Sequence, residues 1–137
     1  MERRVLVVGK DPTSREELQM LTNAFGLEVD VSDASEFSLM AIPFDRYTTV
    51  IVDLDLNGLD PVRAISMIHK NLPKVPIIGI TTQRPFPQEK RIRTAGIFYY
   101  LVRPLDGEEF FNALGDAVAY AAMLNGSFVV PDSERWH

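Results

Sequence analysis

Val50, Ile51 and Val52 form an unbroken β-branched apolar run with no polar residue to face water on either side. A strand of this kind is covered on both faces, as in the centre of a parallel sheet flanked by helices. The run ends at Asp53, and an Asn57-Gly58 turn and a helix start at Asp60-Pro61 follow. A carboxylate at the C-terminal end of a buried strand lies where open α/β sheets place their chemistry. The competing reading is that Asp53 only caps or bends the chain there.

The remaining segments repeat the same unit. Arg4 to Val8 is apolar and β-branched, and Asp11 and Pro12 supply an N-cap and a first helical position. The helix that follows runs to about Phe25, with Leu18, Leu21 and Phe25 on one face, and Gly26 stops it. Leu27 to Val31 alternates as a shorter strand with one face less buried, and Ser32 to Ile42 reads as a short helix ended by Pro43, with Phe37, Leu39 and Met40 available to pack. After the Val50 strand, a helix from Asp60-Pro61 to about Asn71 turns Val62, Ile65 and Ile68 inward. Ile77 to Ile80 is a fourth strand ending at Thr81-Thr82. Prolines 85 and 87 delay the fourth helix to near Pro87, and Gly96 ends it. Ile97 to Val102 is a fifth strand, Arg103-Pro104 a turn, and the acidic run Asp106 to Glu109 opens a last helix reaching about Leu124. Five strand-then-helix units imply an α/β fold with a doubly wound, five-stranded parallel sheet and helices on both faces. Residues 1–124 make one domain, and 125–137, without periodicity, read as a C-terminal tail or the start of a linker.

Composition removes several classes of function. A net charge of −5 with dispersed basic residues argues against nucleic-acid binding by this domain. The chain has no cysteine, hence no disulfide or thiolate metal site, and its two histidines, His69 and His137, lack ligand spacing. No run approaches the roughly 18 to 20 apolar residues of a membrane span, and no signal peptide opens the sequence, so the expectation is a soluble cytoplasmic protein.

With Asp53, Thr81 and Arg103-Pro104 each at a strand end, the chain resembles the receiver domain of two-component response regulators over about residues 3 to 124. The resemblance implies a flavodoxin-like sheet of order 2-1-3-4-5 that accepts a phosphoryl group on one Asp from a histidine kinase. Asp53 matches the acceptor, and Asn57-Gly58-Leu59-Asp60 stands where the family has Pro-Gly-Met-Asp. Thr81 matches the hydroxyl residue ending strand four, and Tyr100 the switch aromatic, three residues before the family's Lys position. Two departures stand out. Gly9 and Lys10 occupy the positions of the family's cation-holding acidic pair, and Arg103 replaces the Lys.

Phosphoryl transfer to a carboxylate depends on positioning and charge neutralisation, usually with magnesium. A lysine about 4 Å from Asp53 would attract it by about 4 kcal/mol at an effective dielectric of about 20, and repel a divalent ion by about twice as much. These signs favour a Lys10–Asp53 ion pair over a metal, unless Lys10 is a solvated loop residue pointing away. Arg103, with its planar fork, can bind carboxylate or phosphate bidentately, or simply lie on the surface.

On the last helix Phe110, Leu114, Ala117, Ala121 and Leu124 form a core stripe. Phe111, Gly115, Val118 and Ala122 form a second, smaller one. The second stripe reads either as a wider core face or as an interaction surface, with Phe111, Val118 and Ala122 as interface candidates. In receiver domains the fourth helix, fifth strand and last helix form the usual dimer and partner surface.

The first reading is therefore an atypical pseudo-receiver: a phosphorylation-independent protein-interaction module without a bound metal, meeting a protein partner, a sensor histidine kinase or a second copy. The alternative is a working phosphoacceptor using magnesium at Asp53. A flavodoxin-like small-molecule binder is weaker, because no glycine-rich phosphate loop follows the first strand.

Overall fold

The computed structural model describes residues 4–43, 45–56, 59–83 and 87–124. The Asn57-Gly58 turn, the segment 84–86 and the tail 125–137 of the sequence reading lie outside them. The order is β1 (Arg4–Val8), α1 (Pro12–Ala24), β2 (Glu28–Ser32), α2 (Glu36–Met40), β3 (Tyr47–Asp53), α3 (Pro61–Asn71), β4 (Ile77–Thr81), α4 (Glu89–Gly96), β5 (Tyr99–Val102) and α5 (Gly107–Leu124). All strand pairs are parallel and the sheet order is β2-β1-β3-β4-β5, the doubly wound arrangement expected from the sequence.

The apolar run in β3 explains the two-layered cover. Val50 and Val52 point to one face, where they pack with Leu6, Val8, Ile65, Ile68 and Ile92 beneath α2, α3 and α4. Ile51 points to the other, where Val5, Val7, Leu18, Ile78, Phe110 and Leu114 gather beneath α1 and α5. Each such side chain contributes roughly 1.5–3 kcal/mol on burial, which ties β3 to both helical layers. Close packing continues at Gly79. A Cβ there would overlap Ile97 Cδ1 and come 2.9 Å from Leu54 Cδ1, so only hydrogen fits.

The helix starts follow their caps. Asp11 accepts from the Ser14 amide at 3.3 Å and Asp60 from the Val62 amide at 2.9 Å, each with proline in the first turn. At Gly26 φ is +99°, a conformation glycine adopts without strain, and its amide bonds back to Asn23 O at 2.9 Å.

Several side chains sit differently from the sequence expectation. α2 spans only Glu36–Met40, so it offers one inward position. Leu39 takes it, whereas Phe37 and Met40 are 82% and 71% exposed. Val62 is only partly buried, and Pro61, Ala64, Ile65 and Ile68 make the buried face of α3. Leu124 is exposed at the end of α5 rather than part of the core stripe. On the second stripe of α5, Phe111 packs edge-on against Phe25 of α1 at 5.7 Å between ring centres, and Gly115 gives the same ring its room. Phe111 and Val118 both pack on the α1/α5 core, so much of that stripe is covered by the chain's own α1.

Candidate functional site

Register brings the strand ends together. Val8 lies beside Val52, which sets Gly9 next to Asp53, and Asp53 pairs with Ile80, one residue before Thr81. Thr81 in turn pairs with Val102, and the Arg103 amide donates to Thr81 O at 2.8 Å. Asp53, Thr81 and Arg103 are thus collected at one edge of the sheet by strand pairing alone. Here a cleft of about 450 Å³ is lined by Asp11, Thr13, Ser14, Glu17, Asp53, Asp55, Thr82 and Arg103.

Asp53 is 3% exposed. Its Oδ2 accepts a 2.5 Å hydrogen bond from Ser14 Oγ, and its Oδ1 accepts from the Asp55 amide at 3.0 Å. Arg103 Nη1 lies 3.8 Å from Oδ1, while Nη2 donates to Ser14 Oγ at 2.5 Å and Nε to Glu17 Oε1 at 3.1 Å. One guanidinium therefore spans β3 and α1, with the Ser14 hydroxyl relaying between it and the carboxylate. Charge-assisted bonds of this type are the strong ones, and arginine's fixed fork can make several at once. Four carboxylates (Asp11, Glu17, Asp53, Asp55) against one guanidinium leave the cleft lining with a formal charge of −3.

The cation beside Asp53 is Arg103 and not Lys10. Lys10 is exposed and makes no ion pair with Asp53, and its charge bears on Asp33 in the β2–α2 connection. There the Asp33 carboxyl is held below its ordinary value chiefly by hydrogen bonds from the Ser35 amide and hydroxyl, with the Lys10 charge as a minor contribution. The reason is local. Gly9 fills the position against the acid, its carbonyl accepts from Arg15 Nη1 at 2.9 Å, and the next residue is carried outward to the α1 cap. A Cβ on Gly9 would lie 3.3 Å from both Asp53 Cβ and Arg15 Cγ.

Thr81 is fully buried, yet its hydroxyl donates to Asp55 Oδ1 at 2.7 Å rather than turning to Asp53. Tyr100 is half-buried against the α3/α4 core, with the Arg93 guanidinium 5.1 Å from its ring centre, a cation–π contact. Phe111, Val118 and Ala122 of α5 are not among the residues lining this cleft.

Residues 5–115 match the response regulator receiver domain family. The chain belongs to that family. This receiver domain is 25% identical over 132 residues to the transcriptional regulatory protein GlrR of Escherichia coli, covering 96% of this chain and 28% of GlrR. It spans less than a third of the relatives it matches. Among solved structures, a receiver domain protein from Clostridium thermocellum superposes with a TM-score of 0.79 at 20% identity, covering 89% of this chain and 98% of that one. The receiver domain of the Pseudomonas aeruginosa sensor histidine kinase PA1611, which holds magnesium in its active-site cleft, gives 0.72 at 22%, covering 87% and 99%. Both likenesses bear on the fold.

Magnesium needs several oxygen donors at near-octahedral positions, whereas the chain offers Gly9 and Lys10 after β1, and Asp53 is engaged by Ser14 and Arg103. Among the described residues no group of three or more His, Cys, Asp or Glu side chains is placed to hold a metal.

Ser14, Glu17 and Asp55 are the site residues that sequence reasoning passed over. Ser14 precedes the buried Leu18 by four residues, which places it on the inward face of α1. Asp55 follows Asp53 by two. Both signals were present, although neither names a partner.

Proposed function

We propose that this receiver domain acts in two-component signalling as an atypical protein-interaction module whose output does not depend on phosphorylation of Asp53. The observation that carries this is the Arg103–Ser14–Asp53 arrangement: the acceptor carboxylate is already neutralised by a protein cation. An incoming phosphoryl group would have to displace Ser14 from Oδ2 while entering a cleft of net negative lining. No acidic pair stands after β1 to recruit a compensating metal.

In this reading Asp53, Thr81 and Arg103 form a fixed polar site, with Gly9 and Lys10 as its altered positions and Tyr100 as an aromatic held by α4. Residues 1–124 form the module and 125–137 the tail, in the cytoplasm. Contacts with a histidine kinase, another protein or a second copy fall on the face made by α4, β5 and α5, whereas Phe111 and Val118 of the second α5 stripe pack on the core shared with α1.

The second reading, a working phosphoacceptor, is favoured by one feature: Asp53 lines an open cleft, and Arg103 could turn to bind a phosphate bidentately. Intact-mass measurement after incubation with acetyl phosphate, with and without magnesium and alongside Asp53→Asn, separates the two. The expected result is no mass gain under either condition. Gain of one phosphoryl group in the wild type but not in Asp53→Asn would overturn the proposal.

A further inference from the structure

Among the described residues the large apolar side chains left in water are Met20, Val31, Phe37, Met40 and Leu124. Single ones on a surface are ordinary. Met20, Val31 and Leu124 are of that kind, each on a different element, whereas Phe37 and Met40 stand three residues apart on one side of α2, 82% and 71% exposed. Ala41 and Pro43 just beyond are exposed as well, so one short segment carries four apolar residues in water. Apolar surface gathered in this way marks an interaction site.

A five-residue helix has little stability of its own. Here it is held at both ends. Ser35 Oγ accepts from the Ser38 amide at 3.1 Å, and Arg63 of α3 donates from Nε to Glu36 Oε1 at 2.8 Å. At the other end Asn71 Nδ2 donates to Leu39 O at 2.9 Å and to Met40 O at 3.4 Å, while the Leu39 side chain is fully buried beneath. Phe37 and Met40 are therefore presented on a fixed backbone, which lowers the ordering cost of a contact made there. The thioether of Met40 adapts to irregular apolar partners.

The rim of this face is basic. Asn71 brings the last turn of α3 against Met40, and with it the exposed Lys70, with Lys74 just after. Residues 36–46 and 63–74 hold four cations, Arg46, Arg63, Lys70 and Lys74, against two carboxylates, Glu36 and Asp45, in a chain whose net charge is −5. Arg63 is taken by Glu36, and Arg46 lies 3.8 Å from Asp30, but Lys70 and Lys74 form no ion pair among the described residues. Such a rim is complementary to an acidic partner and disfavours a basic one.

We propose that the α2 face, with Phe37 and Met40 at its centre and Lys70 and Lys74 at its edge, docks an acidic amphipathic segment of a partner protein. The segment's apolar side chains rest on α2 and its carboxylates meet the two lysines. This face is separate from the one made by α4, β5 and α5. α3 stands between them, bonded to α2 through Arg63 and Asn71 and to α4 through His69 Nε2 and Gly96 O. The docking does not depend on whether Asp53 accepts a phosphoryl group.

The test selects short peptides from a displayed random library on the full chain, with counter-selection on the Phe37→Ser, Met40→Ser double variant. Both side chains are exposed, so that variant should keep the wild-type urea midpoint. The expected peptides carry Leu, Phe or Trp anchors and an excess of Asp and Glu over Lys and Arg. In fluorescence anisotropy with one such labelled peptide, Phe37→Ser should weaken binding by about tenfold or more. Lys70→Ala with Lys74→Ala should weaken it by about fivefold and reduce its salt dependence. Failure to enrich any peptide that loses binding in the double variant, or enrichment without an acidic excess, would overturn the proposal. So would two other occupants. Concentration-dependent dimerisation in sedimentation that the double substitution abolishes would put a second copy on this face. Amide shifts in residues 125–137 caused by the same substitution would put the chain's own C-terminal segment there.

Discussion

Replacing Arg103 by alanine removes the charge facing a carboxylate that is 3% exposed. At 3.8 Å and an effective dielectric of about 20, the pair attraction is about 4 kcal/mol. Not all of this is lost. Asp53 retains the Ser14 hydroxyl and the Asp55 amide, and the Arg103 side chain is itself 15% exposed, so part of its charge is already solvated. Removal of one member of a fully buried pair costs about 3–5 kcal/mol, and the expected loss here is about 2–3 kcal/mol. That corresponds to a melting temperature lower by roughly 6–12 °C for a domain of this size. Urea denaturation at neutral pH measures it. The control is Asp53→Asn, which removes the charge while keeping an acceptor for Ser14. In that background Arg103→Ala should cost less than about 1 kcal/mol, giving a coupling of about 1.5–2 kcal/mol. A loss below about 0.5 kcal/mol for Arg103→Ala, with no coupling to Asp53, would place the contact among solvent-screened surface bridges and refute the reasoning.

Three further outcomes are expected. Lys10→Ala should leave the unfolding free energy from urea denaturation within about 0.5 kcal/mol of wild type, since Lys10 is exposed; a loss as large as that of Arg103→Ala would put the neutralising charge back on Lys10. Thr49 Oγ1 is buried in β3 without a hydrogen-bond partner among the described residues, so Thr49→Val should raise stability by about 1 kcal/mol. A fall on thermal denaturation would mean that the hydroxyl has a partner. Burial and the hydrogen bonds to Asp30 and Asp116 push the Tyr47 and Tyr99 hydroxyls up from 10.0 to about 12. A raised folded-state pKa means the native chain holds these protons longer than the unfolded one. The contribution to stability is therefore complete below about pH 10 and is lost as pH rises toward about 12. Tyr47→Phe combined with Tyr99→Phe should flatten that alkaline decline, and an unchanged slope would count against both assignments.

The fold was legible because its strongest signals are local. Val50 to Val52 could be soluble only if covered on both faces, and the capping pairs Asp11-Pro12 and Asp60-Pro61 marked helix starts that the structure places at the same residues. Parallel register then assembled Asp53, Thr81 and Arg103 with no further information. Partner choice within the site was not legible in the same way. The Lys10 ion pair followed from adjacency in sequence to a strand end, but the α1 cap turns that residue outward and a guanidinium 50 positions along the chain from Asp53 takes its place. Ser14 on the inward side of α1 and Asp55 just past the end of β3 were passed over, because their bonds depend on segments 26 to 89 residues apart. Phe37, Met40 and Phe111 show the limit of helical periodicity. α2 is too short to bury three side chains, and the second α5 stripe is occupied by Phe25, a contact between helices that no spacing within α5 encodes.

The most direct measurement of the central claim, that an internal cation rather than a metal neutralises Asp53, is a magnesium titration followed by ¹⁵N–¹H spectra of the unphosphorylated chain. The account predicts no saturable shifts at Gly9, Ser14, Asp53 or Asp55 at millimolar magnesium in the wild type. Saturable shifts confined to those amides, and abolished by Asp53→Asn, would show a metal bound where the structure places Arg103, and would contradict it.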